Sequence, residues 1–93
     1  KSTFDWNDVG SWDALYDISK KDASGNVSRG DIQALNSENC FFHTDDLRIS
    51  TVGVKDLIVV KSGNALLIVN RTESEQVKQI VTDLKSGNNL DYL

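Results

Sequence analysis

The stretch that decides the fold is Leu57-Ile58-Val59-Val60-Lys61-Ser62-Gly63-Asn64-Ala65-Leu66-Leu67-Ile68-Val69. Two apolar runs, 57–60 and 65–69, flank four polar or turn-forming residues. Each run is too short for a stable helix and carries β-branched residues, so each reads as a strand. Neither alternates with polar residues, which predicts strands covered on both faces. The residues between them read as a hairpin loop.

Upstream, short apolar segments at 32–35, 40–43 and 47–52 recur at about ten-residue spacing, with Gly, Asn, Asp and Ser between them. Leu47, Ile49 and Thr51 alternate with Arg48 and Ser50, the pattern of a half-buried strand. Residues 27–69 therefore read as β. Downstream, 71–85 reads as a helix. Val77, Ile80, Val81 and Leu84 form one apolar stripe, Thr72 and Glu75 have capping-box spacing, and Gly87 supplies a stop. The tail Leu90-Asp91-Tyr92-Leu93 is apolar enough to dock on something.

At the other end, Ser11 reads as the cap of a helix whose Trp12, Leu15, Tyr16 and Ile18 fall near one face. Lys20 and Lys21 suit its C-terminal dipole, and 22–26 reads as a turn. Ser-Gly-Asn occurs at Ser24, Ser62 and Ser86, repeating one turn chemistry. The intervening sequences are dissimilar, so no internal repeat is read.

At 93 residues the chain fits one small domain, or a domain with a stub of its neighbour. With 39% hydrophobic and 26% charged residues, it suits a globular domain rather than a disordered one. The net charge is −4, and ten basic residues lie scattered from Lys1 to Lys85. That argues against nucleic acid, which draws its affinity from clustered Lys and Arg. No basic amphipathic segment argues for a membrane surface, and no apolar run is long enough to span a bilayer. A single cysteine, Cys40, allows no internal disulfide and fits a reducing, cytoplasmic setting. There is no signal-peptide pattern. The chain has no methionine and opens at Lys1 just ahead of a motif, which leads to the expectation of a piece cut from a longer protein.

That motif is Phe4-Asp5-Trp6-Asn7-Asp8-Val9-Gly10-Ser11-Trp12-Asp13-Ala14-Leu15. It resembles the Trp-x-Asp-x-Gly signature of sugar-1-phosphate nucleotidyltransferases. The longer form with Val-Gly-Ser-Trp is similar to that of the mannose-1-phosphate guanylyltransferases, including those fused to a mannose-6-phosphate isomerase. Gly25-Asn26-Val27, Arg29-Gly30-Asp31, Asn39-Cys40, the run 53–60, Ala65-Leu66-Leu67 and Val77-Lys78-Gln79-Ile80-Val81 resemble that family's small C-terminal domain. The resemblance implies a fold that is mainly β with flanking helices: a short left-handed β-helix-like domain followed by a C-terminal amphipathic helix. It also implies a division into 1–22, the end of the nucleotidyltransferase catalytic domain, and 23–93, the β-helix-like domain.

The family's reaction transfers GMP from GTP to mannose 1-phosphate, giving GDP-mannose and pyrophosphate with Mg²⁺. Asp8 stands at the Asp of the signature and is the residue the resemblance makes a metal ligand in the intact parent. Gly10 would let backbone pass close to the sugar phosphate. From spacing alone, Asp8 reads first as a turn residue ahead of a helix with Ser11 as its cap, and only the resemblance favours the ligand role. No catalytic residue is expected within the fragment alone, because the rest of the nucleotide site would lie in the missing part.

Other residues have plainer readings. Trp6 and Trp12 fit interdomain packing, with sugar stacking as the alternative. Asp5 and Asp13 read as solvated or helix-start charges. Cys40 reads as a small core residue, and His43 lacks a second ligand nearby. Asn26-Val27-Ser28 and Asn70-Arg71-Thr72 match the glycosylation pattern by chance. Three functions compete: the end of a guanylyltransferase, inactive in isolation; a docking or oligomerisation module serving its own catalytic domain or a second copy; and a carbohydrate-binding β domain.

Overall fold

A computed structural model describes residues 9–87 of the chain. Helix α1 (Val9–Ile18) is followed by strands β1 (Val27–Arg29), β2 (Ile32–Leu35), β3 (Phe41–Thr44), β4 (Ile49–Val52), β5 (Leu57–Ser62) and β6 (Ala65–Asn70). A 3₁₀ segment (Arg71–Gln76) then leads into α2 (Val77–Ser86).

The strands wind as a coil. β1, β3 and β5 pair in parallel, β2 pairs in parallel with β4, and a bridge joins Glu38 to Lys55 on a third side. Phe41 pairs with Ile58 and Ile32 with Ile49, so one full coil takes 17 residues (41 to 58, 32 to 49). This is the β-helix-like architecture expected, in a very short form. β6 then turns back and pairs antiparallel with β5, completing a sheet in the order β1-β3-β5-β6. In the hairpin, Gly63 takes φ +60° between the paired Ser62 and Ala65, a sign of φ that tight two-residue loops require.

The corners explain how so short a coil turns. Asn39 (φ +58°) and Asp56 (φ +59°) occupy one corner one coil apart. Asn36 (φ +51°) and Gly53 (φ +70°) occupy another, again 17 residues apart. Left-handed backbone is costly for most residues but open to Gly, Asn and Asp. The repeat is thus one of conformation rather than of residue identity.

Two hydrophobic layers flank the four-stranded sheet. Inside the coil, Cys40, Phe42 and Val59 are buried with Ile32, Ala34, Ile49, Val54 and Leu57 against them. On the outer face, Val27, Phe41, Ile58, Val60 and Leu67 pack under Tyr16 of α1 and Val77 of α2. Trp12, Leu15, Val81 and Leu84 extend this layer, so the α2 stripe serves as expected. β5 is covered on both faces, as its sequence predicts.

β6 is a correction. Leu66 and Ile68 are 56% and 61% exposed. The pairing row Phe42–Val59–Ile68 explains it. Ile68 continues the interior row past the last coil, where no further coil lies over it among the described residues. The apolar run thus reflects one covered face and one open end.

Three smaller expectations also change. α1 begins by Val9, so Ser11 lies inside it rather than ahead of it as a cap, and it ends at Ile18, short of Lys20. The Thr72–Glu75 capping box does not form. The cap is Asn70, whose Oδ1 accepts from both the Thr72 amide (2.9 Å) and the Thr72 hydroxyl (2.7 Å). β1 is an additional strand, hidden in the sequence because only Val27 of its three residues is apolar. The expected docking of the tail at 90–93 lies outside the described residues.

Asn26 braces the first corner from inside. It is 3% exposed. Its Nδ2 donates to the Ser37 carbonyl (2.8 Å) and its Oδ1 accepts from the Cys40 amide (2.9 Å). Replacing it with Ala strands two backbone groups in the interior, each costing about 1–3 kcal/mol. Asn26→Ala is therefore expected to lower unfolding stability by about 2–6 kcal/mol in urea denaturation. A loss under about 0.5 kcal/mol, the range of ordinary surface substitutions, would contradict this role.

Candidate functional site

Of the two residues that the sequence nominates, the structure describes the one on α1. Gly10 is the second residue of that helix. Asp8, with Asp5 and Trp6, lies outside the described residues. What the structure does define is how α1 is held, and the holding residue is Arg71.

Arg71 opens the 3₁₀ segment and binds in four directions. Its Nε donates to Asp13 Oδ1 of α1 (2.7 Å), and its guanidinium lies 3.9 Å from the centre of the Tyr16 ring. Its Nη1 donates to the Asn39 carbonyl (3.0 Å) and its backbone amide to the Asp56 carbonyl (2.7 Å). Asn39 and Asp56 are the stacked left-handed corner residues, so one side chain and its amide tie α1 to two successive coils. Burial works against the guanidinium charge, but Asp13, together with Tyr16 and Asp17, outweighs it and raises the pKa. Asp13 is thus a partner of Arg71 rather than a solvated helix-start charge.

Tyr16 completes the attachment. Its hydroxyl donates to the Gly25 carbonyl (2.6 Å), and Lys21 Nζ lies 4.6 Å from its ring centre. Trp12 stacks on Phe41 with ring centres 6.4 Å apart and planes at 20°, which is the packing role expected for it.

A second charged group closes the far corner. Lys61 is 8% exposed, and its Nζ donates to Asp45 Oδ1 (3.1 Å) and to Asp46. Asp45 Oδ2 accepts from the Gly63 amide (2.8 Å). That backbone hydrogen bond, with Lys61, lowers the Asp45 pKa from 3.8 to about 2. Beside this corner the coil end opens into an apolar groove of about 450 Å³, lined by Leu47, Val54, Leu57, Leu66 and Ile68 among others.

Among the described residues no group of three or more His, Cys, Asp or Glu side chains gathers to hold a metal ion. Cys40 is fully buried, donates to the Glu38 carbonyl (3.2 Å), and has its pKa pushed up mainly by burial. It is a core residue, as its sequence setting suggests. Asn26 and Asn70, the two asparagines in glycosylation patterns, are both engaged in the turns described above. No helix among the described residues is long and apolar enough to cross a membrane.

Residues 30–84 match the model of the MannoseP isomerase/GMP-like beta-helix domain family. The chain belongs to that family. It is 43% identical over 88 residues to a mannose-1-phosphate guanylyltransferase of Escherichia coli, covering 95% of this chain and 19% of that protein. It is 40% identical over 79 residues to the alginate biosynthesis protein AlgA of Pseudomonas aeruginosa, covering 85% of this chain and 16% of the relative. A crystal structure described as a mannose-1-phosphate geranyltransferase from Thermus thermophilus superposes with a TM-score of 0.71 at 30% identity. That likeness covers 80% of this chain and 23% of the other. The chain therefore spans about a fifth of the length of the relatives it matches. The resemblance read from the motif, and the β-helix-like fold it implied, both hold.

Sequence reasoning missed Arg71 because its partner Asp13 lies 58 positions away. The only local signal was a lone Arg at the strand-to-helix junction.

The Asp45 shift has a direct consequence. Its folded pKa lies below the unfolded value, so its stabilisation is full above about pH 4 and fades as pH falls toward 2. Thermal melts from pH 5 to pH 2 are expected to show a steeper loss of Tm for the wild type than for Asp45→Asn. Parallel slopes in the two proteins would rule this out.

Proposed function

We propose that this chain is the C-terminal part of a mannose-1-phosphate guanylyltransferase, residues 1–22 ending its catalytic domain and 23–93 forming its β-helix-like domain. The observation that carries the reading is the continuous 43% identity over 88 residues to such an enzyme. In the proposed reaction a phosphate oxygen of mannose 1-phosphate attacks the α-phosphorus of GTP. The bond to pyrophosphate breaks, and GDP-mannose and pyrophosphate leave. The substrate supplies the nucleophile, so the protein's task is to orient two anions.

Mg²⁺ would neutralise their charge, and hard oxygen ligands suit it. The described residues do not form a site for it. Asp8 is the ligand proposed from the motif, its partners coming from sequence outside this chain. Gly10 is proposed to lie near the sugar phosphate. The described residues of this chain hold α1, the helix onto which that motif runs. A cytoplasmic setting fits the nucleotide substrate.

A second role is compatible with the first. The open coil end, with exposed Leu47, Leu66 and Ile68, favours docking on the parent's catalytic domain or on a second copy. The carbohydrate-binding alternative is disfavoured, because Trp12 is engaged with Phe41.

Full-length protein supplied with GTP, Mg²⁺ and mannose 1-phosphate is expected to release pyrophosphate. Asp8→Asn should lower kcat by more than the roughly 100-fold seen on removing outer-shell partners of a metal. The isolated 93-residue chain should be inactive. Equal turnover in wild type and Asp8→Asn would reduce Asp8 to a turn residue, and turnover by the isolated chain would place the active site elsewhere.

A further inference from the structure

We infer that Arg71 is a positioning residue for the nucleotidyl-transfer site, holding α1 so that the 6–10 motif meets the substrates in register. This rests on the guanylyltransferase reading and names the part the β-helix-like domain plays in it. Asp8 is bonded in the chain directly to Val9, with which α1 begins. Val9 and Gly10 of the motif lie in α1 itself, so the placement of α1 sets where they sit.

α1 could be held by apolar packing alone, through Trp12, Leu15 and Tyr16. Such packing is non-directional and tolerates sliding and rotation. Arg71 adds direction. Its Nε–Asp13 bond at 2.7 Å fixes the helix about its axis, and its contact with the Tyr16 ring fixes the next turn. The same residue is anchored at the other end by the Asn39 and Asp56 carbonyls. Those carbonyls belong to left-handed corners whose position is set by the coil. The coil thus serves as a rigid reference, and Arg71 transfers that reference to α1. A planar guanidinium with a fixed fork of donors suits the task, and a lysine ammonium could not serve Asp13 and Asn39 from the same two positions.

The geometry makes a claim that a purely structural residue would not. Loss of Arg71 should misplace the motif without removing any group that binds substrate. A misplacement of about 1 Å can cost on the order of 100-fold in rate. Full-length Arg71→Ala is therefore expected to lose roughly 10–100-fold in kcat, with KM for GTP and mannose 1-phosphate changed by less than about threefold. Arg71→Lys should recover only part of the loss. Asp13→Ala should fall in the same direction, and the double variant should be no worse than Arg71→Ala, because both act through one contact. Amide hydrogen exchange should speed up across α1 in Arg71→Ala and remain slow in β3 and β5.

Unchanged kcat in a folded Arg71→Ala protein, or full rescue by Arg71→Lys, would overturn the inference. So would additive losses in the double variant. If the wild type shows no turnover with these substrates, the transfer reading fails instead. The exchange experiment still decides the clamp in that case: unchanged α1 protection in Arg71→Ala overturns it, and faster exchange confined to α1 upholds it.

Discussion

β5 lies between two apolar layers, and the rest of the structure is arranged around that constraint. Its odd and even residues point into different cores: Val59 into the coil with Phe42, and Ile58 and Val60 outward under the helices. A chain this small cannot stabilise a coil of two turns from its interior alone, because few residues are enclosed. The outer layer supplies the remaining burial. α1 and α2 are therefore not appendages to a β-helix. They close the second face of the sheet that the coil leaves open.

Coil and helices are nevertheless joined by different physics. Within the coil, neighbouring strands are held by parallel ladders and by corners whose left-handed residues recur every 17 positions. Buried polar groups are paired inside it, with Asn26 bonded to two backbone groups and Ser37 to Thr51. Between coil and α1, apolar packing supplies adhesion and Arg71 supplies alignment. A domain built this way can offer a neighbouring catalytic part a fixed frame rather than a reactive group.

The sequence shows the strands better than it shows their arrangement. Strands β2 to β6 lie close to where apolar runs and turn residues put them, and the α2 stripe packs as its spacing requires. β1 is missed because two of its three residues are polar and exposed. The coil repeat is invisible because Asn36 and Gly53, or Asn39 and Asp56, share a φ and not a side chain. The exposed face of β6 could not be read either, since a run of apolar residues looks the same whether its second face is covered or left open. The motif at 4–15 carried the family, which the comparison bears out. The clamp on α1 joins residues 58 apart and no local pattern announces it.

That separation bears on how the chain comes off the ribosome. α1 is made before the strands beneath it, so Trp12, Leu15 and Tyr16 precede their cover and Arg71 is translated later still. Closing a 58-residue loop costs about 1 kcal/mol more than closing one of 17, so coil contacts are entropically cheaper than the α1 clamp. Until residue 71 emerges, the helix has apolar side chains but no alignment.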